Sequence, residues 1–171
     1  MADKLITPSG LKVPPHSTET EESVLGSLLL DRDAVVAVVE FLRPEHFYEE
    51  KHGQIFSAIM ELYQEREPVD VVTVAEKLKT AKKLDEVGGR EYLTDLVNKV
   101  PTAAHAESYA RVVRDMFTKR QLISAAQKIM EMGFDEGIDT REMLDTAEQK
   151  VFSMAQQHLK QVFTPVKDIL A

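Results

Sequence analysis

Apolar residues in this chain recur three and four positions apart for most of its length, and the alternation of a half-buried strand is scarce. That spacing narrows the fold class to all-α, because only a helix gathers residues i, i+3 and i+4 on one face. The punctuation agrees. Thr18 followed by Glu21 has the form of a capping box and predicts a first helix to residue 30. Asp33 is placed to cap a second helix over 34–42, ended by Pro44 before a short turn through Phe47. Glu49 or Glu50 opens a longer helix whose Ile55, Phe56, Ile59, Met60, Leu62 and Tyr63 form a broad buried face. Val71-Val72-Thr73-Val74 has the β-branched composition of a strand, yet Asp70 as a cap and the helix formers after it favour a helix. Gly88-Gly89 predicts a turn with positive φ ahead of a helix over 90–98, and Thr102 is a plausible cap for the next helix.

From Ala103 the pattern lengthens. One helix is expected to run from there to residue 132, stopped by Gly133. Asp139 with Glu142 opens a second that reaches about residue 159. Two long helices joined by a short glycine-containing loop make an antiparallel hairpin. In the second helix Ala147, Val151, Met154 and His158 step by four, three and four, a narrow packing seam. Thr164-Pro165 breaks the chain, and residues 166–171 look like the start of another helix. The expected organisation is a flexible lead over 1–16, a compact multi-helix head over 17–101, the hairpin over 102–162, and the start of a linker helix over 163–171.

Composition excludes several functions. The chain has no cysteine, so disulfides, thiolate metal sites and cysteine nucleophiles are absent, as suits a reducing cytoplasm. No apolar run approaches the ~20 residues that cross a bilayer, and no membrane role is expected. The net charge of −8 opposes autonomous nucleic-acid binding. It is also uneven: residues 17–67 hold twelve acids and four bases, whereas residues 103–163 hold nine and eight. None of the seven glycines stands in a Gly-x-x-x-x-Gly-Lys-Ser/Thr loop, so no phosphate cradle for ATP is present. Glu49-x-x-His52 is the only Glu-x-x-His, where a di-metal bundle needs two, and a surface helix start is the better reading. The basic clusters (Lys77, Lys79, Lys82, Lys83 and Arg111, Arg114, Lys119, Arg120) lack interleaved aromatics and read as solvated helix faces. No catalytic, cofactor-binding or metal-ligating residue is assigned.

A two-helix hairpin cannot bury both of its apolar faces within itself. Five of the seven methionines (Met116, Met130, Met132, Met143, Met154) fall in this segment, and methionine adapts to surfaces that repack. The hairpin is therefore the expected place for self-association or a protein partner.

Several separated pieces resemble the amino-terminal domain of the hexameric, DnaB-type bacterial replicative helicase. They are Ser23-Val24-Leu25-Gly26; Phe47-Tyr48 with His52 and Ile55-Phe56; Asp70-Val71-Val72-Thr73-Val74; Gly88-Gly89-Arg90-Glu91-Tyr92-Leu93; and Pro101-Thr102-Ala103-Ala104 with Tyr109. The resemblance implies a helical head and hairpin that pair between subunits into a dimer-based hexameric collar. It also implies docking of the helicase-binding domain of primase and, in some family members, a loader. DNA is then met only through the full-length hexamer of the bacterial replisome. ATP and Mg²⁺ belong to a motor beyond residue 171, reached through the linker helix. By resemblance, Tyr92, Ile123, Ile129 and Leu144 are carried over as partner or oligomer contacts. The hairpin reading adds Met116, Met130, Met143, Ala147, Val151 and Met154. The alternative is a free-standing helical adaptor that dimerises through the same hairpin and has no replisome role.

Overall fold

The computed structural model describes residues 12–162, and every regular element among them is helical. The α-helices are α1 (Thr18–Leu30), α2 (Arg32–Val39), α3 (Glu50–Gln64), α4 (Val71–Thr80), α5 (Gly89–Asn98), α6 (Ala106–Phe134) and α7 (Thr140–Val162), with a single 3-10 turn (Pro44–His46) between α2 and α3. The expected linker helix at 166–171 lies outside the described residues.

α1 is the centre of the packing. It meets α6, α5, α3 and α2, and its Val24, Leu25, Leu28 and Leu29 are buried. α3 adds Ile55, Phe56 and Ile59, while α5 adds Leu93 and Leu96. Such clustering removes apolar surface from water, at about 25 cal/mol for each Å². Gly26 sets the closest approach: a Cβ there would lie 2.2 Å from the Leu96 carbonyl oxygen and 2.6 Å from a Val100 methyl. α1 and α5 therefore touch backbone to backbone at this point.

Helix ends depart from the sequence expectation in specific ways. Ser17, not Thr18, caps α1, its hydroxyl accepting from the Thr20 N–H at 3.3 Å. Glu21 takes no part in that cap and turns inward. Asp31 caps α2, one residue before the helix and two before Asp33, by accepting the Asp33 N–H at 2.9 Å. The helix stops at Val39 rather than residue 42, and Arg43 covers its last carbonyls, donating to Val39 and Leu42. Asp70 and Thr73 form a full capping box on α4, so the β-branched run is helical. Thr102 accepts from Ala104 within a turn, which delays α6 to Ala106. Gly133 does not stop α6; the helix passes through it to Phe134. One glycine costs a helix only about 1 kcal/mol, too little to end 29 residues of helix.

α6 leads two lives. Its first turns are core, with Ala106, Ala110 and Val113 buried beside α1 and α2. Its second half leaves the head and pairs with α7. Where it leaves, Arg120 donates to the carbonyls of Pro15 and His46, each at 2.8 Å. His16 stacks on Tyr48 at 4.0 Å, so Pro15 and His16 are tied down rather than part of a loose lead. Arg114 and Arg120 are thus structural, not members of a solvated basic face: Arg114 is 4% exposed and lies over the Phe41 ring. His46 is buried against Phe117 and accepts the Arg43 N–H on Nδ1. Burial pushes its imidazole down to about 4; the Glu45 carboxylate pulls upward, and Arg43, Arg114 and Arg120 each add a smaller downward push.

This packing makes two outcomes testable. Gly26→Ala forces α1 and α5 apart and is expected to lower unfolding free energy by about 2 kcal/mol or more, measured by urea denaturation. His46 stays neutral in the fold to about pH 4 but takes a proton near 6.5 when unfolded. Its contribution is therefore whole above pH 6.5 and is lost as pH falls towards 4, on the order of 3 kcal/mol. His46→Gln should flatten that segment of the stability–pH curve.

Candidate interaction surfaces

The first surface is built around Tyr92, and it begins inside the head. Glu21 opens the buried stripe 21, 24, 25, 28 of α1 and is 2% exposed. Its carboxylate accepts the Tyr48 N–H at 2.6 Å and the Glu49 N–H at 3.3 Å, two of the free donors at the entry to α3. The same carboxylate faces His52 Nδ1 at 2.6 Å. His52 has no exposed surface, against the expectation of a surface helix start. Its Nε2 lies 2.8 Å from the Tyr92 hydroxyl, which in turn donates to Glu22 at 3.1 Å. Lys99 closes the circuit on the other Glu22 oxygen at 2.7 Å.

This network holds Tyr92 at the rim of the head. Its ring lies parallel to His52, with Lys51 Nζ 4.1 Å above the centroid. Gly88 makes room: its φ of +104° suits glycine, and a Cβ would stand 2.9 Å from the Tyr92 Cβ. Burial raises the Tyr92 hydroxyl above its ordinary range and Glu22 adds to the rise, so the phenol keeps its proton. For Glu22, burial works upward, but the Lys99 ammonium and the Tyr92 hydroxyl draw its carboxyl below the usual value. The site can hold and orient a surface aromatic; it has no free nucleophile. Among the described residues no group of three or more His, Cys, Asp or Glu is placed to hold a metal.

The second surface is the hairpin. Met116, Ile129, Met143, Ala147 and Met154 are half-buried. Ile123, Met130, Leu144 and Val151 are exposed, as are Leu122, Phe134, Phe152 and Leu159. The seam of α7 is accordingly Met143, Ala147, Lys150, Met154 and His158, all half-buried, while Val151 stands outside it at 48% exposure. The spacing by fours and threes is retained, but Lys150 takes the inner position with its aliphatic stem. Ten residues assigned from sequence thus fall into three groups: Tyr92 on the head, five half-buried along α6 and α7, and four exposed on the same two helices. Sequence reasoning missed Glu21 and the circuit it starts. The signal was its place at the head of the 21, 24, 25, 28 stripe, where a carboxylate is an anomaly.

The described residues form an all-helical domain with two surfaces fit to hold or meet other groups. It belongs to the family of DnaB-like helicase N-terminal domains, whose family model matches residues 13–115. The replicative helicase DnaB of Geobacillus stearothermophilus is 40% identical over 159 residues, covering 93% of this chain and 35% of that protein. The chain thus spans about a third of the length of that relative. Among solved structures, the N-terminal domain of DnaB from Mycobacterium tuberculosis superposes with a TM-score of 0.78 at 39% identity, covering 82% of this chain and 99% of the other. A DnaB-like replicative helicase described with its interactions with primase gives a TM-score of 0.67 at 28% identity, over 81% of this chain and 31% of the other. Among the described residues no helix is long and apolar enough to cross a membrane.

Removing the carboxylate should expose the weight of the buried circuit. Glu21→Ala strands two backbone donors and His52 and is expected to cost about 3 kcal/mol or more. Thr18→Ala, at the position whose spacing to Glu21 mimics a capping box, should stay within about 0.5 kcal/mol. Chemical denaturation of the two variants side by side checks the pair.

Proposed function

We propose that this chain is the N-terminal collar domain of a bacterial replicative DNA helicase, with residues 17–101 as head and 102–162 as pairing hairpin. In this reading the domain works in the cytoplasm, supports assembly of the hexamer, and docks the helicase-binding domain of primase and a loader. The observation that carries it is the open apolar face of the hairpin. Ile123, Met130, Leu144 and Val151 are exposed, as are Leu122 and Leu159, and nothing in the described chain covers them. A set of large apolar side chains on two adjoining helices marks a surface that another protein buries. The partner in this reading is a second copy of the hairpin. The interactions with primase belong to a relative of similar fold, and their transfer here is part of the proposal.

The mechanism is one of coupling. Two paired hairpins make a composite surface, so affinity for primase depends on assembly. Primase then favours one arrangement of the collar over another, and the linker passes that bias to the motor. Tyr92, held at the rim of the head by His52 and Glu22, is the anchored aromatic of this surface.

Absolute mass by light scattering across a concentration series tests the assembly step. The wild-type chain should grow to dimers or larger. Ile123→Asp combined with Val151→Asp should hold it at the monomer mass with an unchanged melting temperature, since both side chains are exposed. The primase helicase-binding domain should bind the assembled form more tightly than the forced monomer. A wild-type chain that stays monomeric throughout, or equal primase affinity for both forms, would sink the proposal.

A further inference from the structure

The opposite face of the hairpin carries a groove of mixed character. Gln121 and Lys128 of α6, with Gln149, Lys150 and Gln157 of α7, line it between the two helices, and hydroxyl side chains together with Ala125 and Met154 fill the gaps between them. Each of these five stands two positions before an exposed apolar residue: Ile123, Met130, Val151, Phe152 and Leu159. Two positions are about 200° of helix rotation, so the groove and the apolar stripe look in opposite directions. A partner in the groove does not compete with hairpin pairing.

The charge of the groove is out of keeping with the chain. No carboxylate lines it, although the chain carries a net charge of −8. Lys128 and Lys150 form no ion pair among the described residues. Helix register accounts for Lys150, whose neighbours three and four positions away are Thr146, Ala147, Ser153 and Met154. Around Lys128 only Glu131 is acidic, and it lies off the groove.

We propose that this groove docks a short acidic, extended segment of a partner protein. From Thr146 to Gln157 the groove follows α7 for about 17 Å at ~1.5 Å per residue. An extended strand at ~3.3 Å per residue covers that length with about five residues. Carboxylates of the segment meet Lys128 and Lys150, and the glutamine amides, able to donate and accept, meet its backbone. A nucleic-acid backbone fits less well. Two cations displace few counterions, and no aromatic ring lines the groove for bases to stack on.

The test is an NMR titration of the isotopically labelled 171-residue chain with a blocked peptide of alternating Glu and Ser, about nine residues long to overhang the groove. The expected result is saturable movement of the amide signals around Lys128, Gln149 and Lys150. Binding should weaken about tenfold when both lysines are reversed (Lys128→Glu, Lys150→Glu), and again on raising salt from about 50 to 300 mM. The neutral pair Lys128→Gln, Lys150→Gln stands in if the reversed pair fails to fold. Three results overturn the proposal: no movement with the Glu-Ser peptide; tighter binding of oligothymidylate at the same residues; or groove signals that move with protein concentration alone, which makes a second copy the occupant.

Discussion

The carboxylate of Glu21 is sealed inside the head, where an unmet charge costs several kcal/mol. Its donors come from elsewhere in the chain: the backbone at the entry to α3, and His52 one turn further on. His52 is buried in its turn and needs a partner for its second nitrogen, which the Tyr92 hydroxyl on α5 supplies. Tyr92 then returns to Glu22 on α1, and Lys99 from the end of α5 completes the loop. A circuit of this kind is satisfied in only one mutual placement of α1, α3 and α5. Gly26 allows that placement, because α5 reaches α1 only where no Cβ stands between them. Apolar burial drives the helices together, and the polar circuit selects how they meet.

From that arrangement the rest of the molecule is hung. The first turns of α6 are buried beside α1, and the same uninterrupted helix then projects as one arm of the hairpin. Arg120 binds the point of departure to Pro15 and His46, and Arg43 secures His46 from the other side. The hairpin's direction is therefore set by the head. Its two faces, one apolar and one of mixed character, are presented at defined angles to it. The continuous helix gives the coupling proposed above a direct connection between head and hairpin.

Much of the fold is legible in the order of residues alone. The 3–4 spacing of apolar residues specifies the helices, the Asp70 cap outweighs a β-branched run, and the Gly88-Gly89 pair announces a positive-φ turn. The errors cluster at single residues that have two plausible uses. Glu21 has the right offset for a capping box and the right offset for the buried stripe, and burial prevailed because α3 offered donors. Asp31 and Asp33 are both capping residues, and only the path of the chain chose the first. Val151 and Lys150 are adjacent, and the crossing of α6 and α7 decided which of them faced inward.

The sequence by itself determined the all-helical class, the number and rough extent of the helices among the described residues, the long hairpin and the lack of a phosphate-binding loop in these 171 residues. Each of these depends on local spacing or on the absence of a residue pattern, which no folding event alters. Tertiary structure alone decided that a carboxylate, an imidazole and a phenol from three helices share one circuit. It also decided which apolar hairpin residues stay in water and which polar ones line a groove. Those facts depend on partners separated by as many as 77 positions, and no local period carries information over that distance.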